Sequence, residues 1–261
     1  MARVWLDQHL LGRRGARGET ERARAVGNSA ADRLWYLQHI DLFQDMTPQE
    51  MHRLATRTKM RRYERGKVIA HPDDPPDTIY LVKEGRVKLC RYSAGGRVQI
   101  LALLGRGNIF GERALVGAPE AVHCEAFEDT LICVLRRRDF EELIRSKPEM
   151  AMRVMKVLAE RLKQAEETIE SLAFQDVPER LATLLARLVE AYGEPHDGGR
   201  RLALRFTHQD LASMIGATRE TVTNVLNRFR DDGLITVEDR HIVIRDISRL
   251  EARRDHTPSA P

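Results

Sequence analysis

The chain has 261 residues, 42% hydrophobic and 31% charged, with a formal net charge of +4. That length buries cores for two ordinary domains. No apolar run approaches the roughly 18 residues that span a bilayer, so no membrane partner is expected and the location is read as cytoplasmic. The three cysteines, Cys90, Cys124 and Cys133, contain no CxxC pair. They exclude a disulfide framework or a zinc finger and fit a reducing compartment.

Residues 1–31 carry Gly, Arg and Glu without apolar periodicity and read as a disordered basic tail. A basic arm on nucleic acid is the alternative; Asp7, Glu19 and Glu21 argue against a mitochondrial leader. Thr47-Pro48-Gln49-Glu50 forms a capping box with proline at the first helical position. It predicts a short helix through Met51, Leu54 and Ala55.

From Gly66 to Leu135 the texture changes to short runs separated by glycines. Strands are predicted at 78–83, 86–91, 98–104, 122–126 and 130–135, with a hairpin turn at Gly95-Gly96. This pattern indicates a small all-β roll or barrel, and 32–145 is assigned to it.

Ser146-Lys147-Pro148-Glu149 is a second capping box, expected to open a long helix over 146–174. Along it Ala151, Met155, Leu158, Leu162, Ala165, Ile169 and Leu172 alternate by four and three. That heptad seam predicts a parallel pair and hence a homodimer. The competing arrangement is a helix packed on its own β-roll. Asp176-Val177-Pro178-Glu179 breaks the run and recaps it, and because Pro178 disfavours helix at Val177 a hinge falls there; Leu181, Leu184, Leu185, Leu188 and Val189 form a new amphipathic face.

Residues 175–251 carry the functional signal, and 252–261 read as a second tail. From Val177 onward thirteen arginines meet thirteen acids, with no lysine, so any DNA argument must rest on where charges sit. Thr207 and Asp210 cap a short helix holding Leu211, Ala212 and Met214. Gly216 makes the turn, and Thr218 caps a second helix with Val222, Val225, Leu226 and Phe229 inward. That leaves Arg219, Glu220, Thr223 and Asn224 to meet base edges. Arg suits guanine, Glu cytosine and Asn adenine, each good contact contributing about 1–3 kcal/mol of discrimination. Gln209, Thr218, Thr221, Arg228 and Arg240 are the phosphate candidates. A hairpin follows, Leu234–Val237 and Ile242–Ile244 around the turn Glu238–His241.

Thr218-Arg219-Glu220-Thr221-Val222, with Gly216 before it and Asp232-Gly233-Leu234-Ile235 after it, resembles the winged helix-turn-helix of the Crp–Fnr family of regulators. Leu172-Ala173-Phe174 with Asp176-Val177 resembles that family's hinge, and Ile109–Leu115 its phosphate-binding cassette. The resemblance runs over residues 32 to about 250. It implies an α+β fold: a cyclic-nucleotide-binding-like jelly roll acting as an effector or sensory domain over 32–145, a dimerisation helix and a winged helix-turn-helix. It further implies a homodimer on palindromic DNA, with RNA polymerase as a partner, an activating contact falling on the loop expected at Gly193–Gly199. The family's cyclic-AMP-type members carry a second arginine where Asn224 stands, so the half-site is expected to depart from TGTGA at one base pair.

The effector does not follow the family. Gly111 and Glu112 of the cassette are present, but the phosphate-binding Arg and the Ser or Thr after it are replaced by Glu120 and Ala121. The Thr-Ser pair that meets adenine is replaced by Ala165 and Glu166. At about 4 Å and an effective dielectric near 20, reversing one charge changes the interaction by several kcal/mol. High-affinity cyclic AMP binding is therefore not expected. No cofactor is expected either. Haem at His123-Cys124 is disfavoured because a strand cysteine is usually a small apolar filler, and an iron–sulfur centre is disfavoured because residues 1–89 hold no cysteine. Two other function classes remain for comparison. A regulatory module acting through protein contacts leaves 207–244 unexplained. An enzyme lacks any nucleophile–base constellation, HExxH or Walker loop, so no catalytic or metal-ligating residue is assigned.

Overall fold

The computed structural model describes residues 41–72 and 74–253, so both predicted tails fall wholly or almost wholly outside them. The described chain forms two compact units. One holds residues up to Arg91 and Leu101–Leu162; the other holds Tyr92–Ile100 and the residues from Lys163 on.

The first unit opens with helix α1 (Pro48–Arg57), whose capping box between Thr47 and Glu50 forms as the sequence demands. Eight strands follow: β1 (Lys59–Tyr63), β2 (Val68–Ala70), β3 (Thr78–Glu84), β4 (Val87–Tyr92), β5 (Val98–Leu104), β6 (Ile109–Phe110), β7 (His123–Ala126) and β8 (Thr130–Arg136). They make two four-stranded sheets, ordered β1-β8-β3-β6 and β2-β7-β4-β5. The paired strands are antiparallel, with Leu81 opposite Cys133 and Leu89 opposite Cys124.

The two-residue period of a strand divides the core in two. Val82, Phe110 and Ile132 of the first sheet meet Ala70, Val87, Leu89, Leu104 and Cys124 of the second. On the other face of the first sheet, Ile79, Leu81, Leu131, Cys133 and Leu135 cluster with Met51, Leu54, Phe140, Met150 and Val154 of the helices. Both faces of β8 are covered, which is why its sequence is a continuous apolar run without alternation.

Three strands of this unit, β1, β2 and β6, and one helix escaped the sequence pattern. β1 buries only Met60 fully and looks polar. Helix α2 (Arg137–Ser146) fills the stretch left inside the predicted roll. Its presence corrects the capping box at Ser146: that residue ends α2, and its hydroxyl donates to the Leu143 carbonyl at 3.0 Å. Helix α3 (Pro148–Phe174) starts two residues later than expected, after the chain turns at Lys147.

In the second unit, α4 (Val177–Tyr192) starts from Asp176, whose side chain and Glu179 form a reciprocal cap around Pro178. Its sheet is ordered β11 (Ile235–Glu238), β12 (His241–Ile244), β10 (Gly199–Leu202) and β9 (Gly193–His196). The expected loop at Gly193–Gly199 is instead a hairpin of β9 (Gly193–His196) and β10 (Gly199–Leu202). Helices α5 (His208–Ile215) and α6 (Arg219–Asp231) precede the second hairpin, β11 (Ile235–Glu238) and β12 (His241–Ile244); α7 (Ile247–Ala252) closes the unit. The turn of that second hairpin has two residues, not four, because Glu238 pairs with His241 in the ladder.

Candidate nucleic-acid interface

The α5–α6 pair is built by local chemistry. The Thr207 hydroxyl oxygen accepts from the Asp210 amide at 3.0 Å while the Asp210 carboxylate accepts from the Thr207 amide at 2.9 Å. At the other end Gly216 takes φ 66°, and its amide donates to the Ala212 carbonyl. This left-handed cap turns the chain within two residues. Thr218 then caps α6, accepting from the Thr221 amide at 3.2 Å.

Val222, Val225, Leu226 and Phe229 are buried on α6, each contributing about 1.5–3 kcal/mol of hydrophobic stabilisation. Their spacing leaves Arg219, Glu220, Asn224 and Arg228 exposed. The Glu220 carboxyl is held below the ordinary carboxylate range, first by its own backbone amide and then by the Thr218 hydroxyl. It therefore stays an acceptor at neutral pH, the state that a cytosine amino group requires.

The other named residues divide by what their polar atoms already do. Thr223 is half-buried, and its hydroxyl donates to the Arg219 carbonyl at 2.8 Å. Gln209 donates to the Ser213 hydroxyl at 3.2 Å. Thr221 shares a 3.0 Å hydroxyl–hydroxyl bond with Thr218. His208, which the sequence reading passed over, places Nδ1 2.8 Å from the Thr223 hydroxyl. With Thr207, Gln209 and Arg219 it lines an open concavity. The available signal was its position, between a cap and a phosphate candidate.

In the second hairpin Asp239 and Arg240 both take positive φ, 50° and 65°, and both are exposed. Below them a polar cluster ties the hairpin to β9: His196 Nε2 lies 2.8 Å from Glu238, Thr236 donates to Glu238 at 2.9 Å, and Arg245 pairs with the same carboxylate. His196 is the first cause, and Thr236 the second, of a Glu238 carboxyl held below its ordinary range.

In the first unit, Gly111 takes φ 81° at the head of a 3-10 turn over Glu112–Val116. Glu112 accepts from Arg161 of α3 at 2.7 Å, and the same guanidinium donates to the Ile109 carbonyl at 2.6 Å. Glu120 folds back to accept from the Ala121 amide at 2.8 Å. Arg161 had no role in the sequence reading, since its partner lies 49 positions away. Cys124 is fully buried, and burial pushes its thiol up, away from thiolate chemistry.

Two family models match: a cyclic nucleotide-binding domain over residues 60–147 and a Crp-like helix-turn-helix domain over 179–253. The cyclic AMP receptor protein of Thermus thermophilus is 32% identical over 211 residues, 80% of this chain and 94% of that protein. The chain belongs to the Crp–Fnr family. This Crp–Fnr protein is also 32% identical to the global nitrogen regulator of Synechococcus elongatus, over 71% of its own length and 85% of the relative's. Among known structures, a CooA mutant from Carboxydothermus hydrogenoformans is similar with a TM-score of 0.66 and 27% identity, covering 76% of this chain and 88% of that one. FixK2 from Bradyrhizobium japonicum gives 0.66 and 26%, covering 75% and 96%. The Crp–Fnr protein is thus a DNA-binding transcription regulator with the domain order that its sequence implied: β-roll, long helix, helix-turn-helix. Among the described residues no helix is long and apolar enough to cross a membrane.

Proposed function

We propose that two copies of the chain pair along α3 and bind a twofold-symmetric promoter site, reading bases with Arg219, Glu220, Thr223 and Asn224. The observation that carries this is the exposed Arg219–Glu220–Asn224 surface of α6, capped by Thr218 and backed by four buried apolar residues. Gln209, Thr218, Thr221, Arg228 and Arg240 set the register on phosphates, and phosphate contacts give position without sequence information. With Asn224 where cyclic-AMP-type relatives carry arginine, the half-site moves from TGTGA toward adenine at one pair.

Pairing is supported by a stripe without cover in the protomer. Leu162 is 62% and Ile169 66% exposed, and Met155, Ala165 and Leu172 are exposed beside them. Met150 and Val154 are buried against the β-roll, and Leu158, which the sequence assigned to the seam, packs there too; the roll and the seam therefore share the helix at that turn, and the exposed stripe begins again at Leu162. DNA binding by such pairs needs two recognition helices about 34 Å apart.

The regulator acts without high-affinity cyclic AMP. Glu112 is already neutralised by Arg161, and Glu120 brings a second carboxylate where the nucleotide phosphate needs a cation. No haem, iron–sulfur or other cofactor is assigned. The β9–β10 hairpin is the surface offered to RNA polymerase.

Selection from random duplex DNA by the full chain, at physiological salt, tests this reading. Recovery of twofold half-sites that differ from TGTGA at one pair is expected. Sites without symmetry, or an unmodified TGTGA, would overturn it. Calorimetry with cyclic AMP is expected to show no binding of micromolar or tighter affinity.

A further inference from the structure

Resting on the DNA-binding reading above, we propose that His208 is a proton-linked phosphate contact, so that DNA affinity rises as pH falls.

The argument begins with one hydroxyl proton. Thr223 Oγ1 lies 2.8 Å from the Arg219 carbonyl oxygen and 2.8 Å from His208 Nδ1. A carbonyl only accepts, and a hydroxyl has one proton to give. Thr223 spends it on Arg219, so it must accept from His208. Nδ1 therefore carries the proton, and the neutral ring has its lone pair on Nε2.

Protonation then changes one edge of the ring and not the other. The Nδ1–H bond to Thr223 exists in both charge states, so α5 and α6 stay tied. Nε2 switches from acceptor to donor. A DNA phosphate offers only acceptors, so only the protonated ring can bond it and release a counterion. Proton uptake and DNA binding are thereby coupled, and each favours the other equally.

The surroundings suit this use. Arg219 of α6 and Thr207 and Gln209 beside His208 line the same concavity. Asp210, the acid on the same helical turn, is committed to the Thr207 amide and hydroxyl at 2.9 and 2.6 Å. Glu220, on the first turn of α6, is held by its own amide and Thr218. α5 also packs on α4, and its buried residues are Leu211, Ala212, Ser213 and Ile215, none of them titratable.

Fluorescence anisotropy on the selected operator, at fixed ionic strength from pH 5.5 to 8.5, tests the coupling. The unaltered dimer is expected to bind more tightly at the acidic end of this range than at the alkaline end. Its log–log salt slope should steepen by about 0.9 per protonated ring. His208→Gln should bind the same sequence with the pH 6 to 8 difference lost. His208→Arg should bind at pH 8 as tightly as the unaltered protein does at pH 6, a rescue that a purely structural role would not give. Nitrogen NMR of the free protein at pH 8 should show His208 protonated at Nδ1. A flat profile with sequence-specific binding, a Gln variant that keeps the profile, or an Nε2–H tautomer would overturn the proposal. Absence of specific binding at every pH would instead overturn the DNA-binding reading beneath it.

Discussion

Gly111 shows how much one residue can fix in the cassette. Its φ of 81° is in the left-handed region, and a Cβ there would meet the Thr78 carbonyl oxygen at 2.6 Å and the Tyr80 ring at 3.0 Å. Backbone oxygen cannot swing aside as a side-chain end can. Gly111→Ala should therefore cost about 2 kcal/mol or more, seen as a lowered urea midpoint with an unchanged m-value. Lys83 makes the converse point about charge. It is 2% exposed on β3, with the Phe43 ring 5.9 Å from its ammonium, and burial is the first cause of a pKa lowered to about 7 from 10.5. Between those values the unfolded chain binds the proton that the folded one has released, so stability should climb as pH rises from about 7 to 10.5. Thermal unfolding across that interval measures the climb, and Lys83→Met should flatten it. Neither the Arg161–Glu112 bridge nor the bond from His208 to Thr223 was legible in the sequence. Each joins groups far apart along the chain, and neither residue type announces its partner.

Helices and strands were legible where their cause is local. Thr47, Asp176, Thr207 and Thr218 all cap the helices that their sequences predicted, because a cap needs only a side chain and the next three amides. Ser146 failed for a tertiary reason. The same residue can open one helix or close another, and the choice went to α2, which buries Phe140 against the roll. β1 was missed because its partner β8 supplies the order that its own polar sequence lacks. On the long helix α3 the sequence reading offered a paired seam or packing on the β-roll; Met150 and Val154, with Leu158 a turn further on, do pack on the roll, and the heptad pattern did not single out the first two. The seam has a direct test. Leu162 and Ile169 are exposed in the single chain, so replacing both with Asp should leave its fold intact while burying two charges in any pair. Sedimentation velocity should show monomers, and affinity for the selected operator should fall by at least about a hundredfold, since a lone half-site loses the second half's effective concentration.

At the scale of the whole molecule, composition was a poor guide and arrangement a good one. A net charge of +4 and a C-terminal part with equal numbers of arginines and acids say little about DNA. The capped pair around Gly216 says much, because its parts are adjacent in sequence and each has a known local cause. The apex of the β11–β12 hairpin belongs with these features. Two consecutive residues with full side chains, Asp239 and Arg240, occupy backbone space that glycine would hold with less strain, while the ladder from Ile235–Ile244 to Glu238–His241 clamps them from below. A fingertip pinned in this way cannot lengthen or shorten by one residue without turning every rung beneath it inside out. The point from which its guanidinium extends is therefore set once, when the hairpin closes, and under the proposed phosphate contact duplexes of differing groove width would have to adjust to the protein.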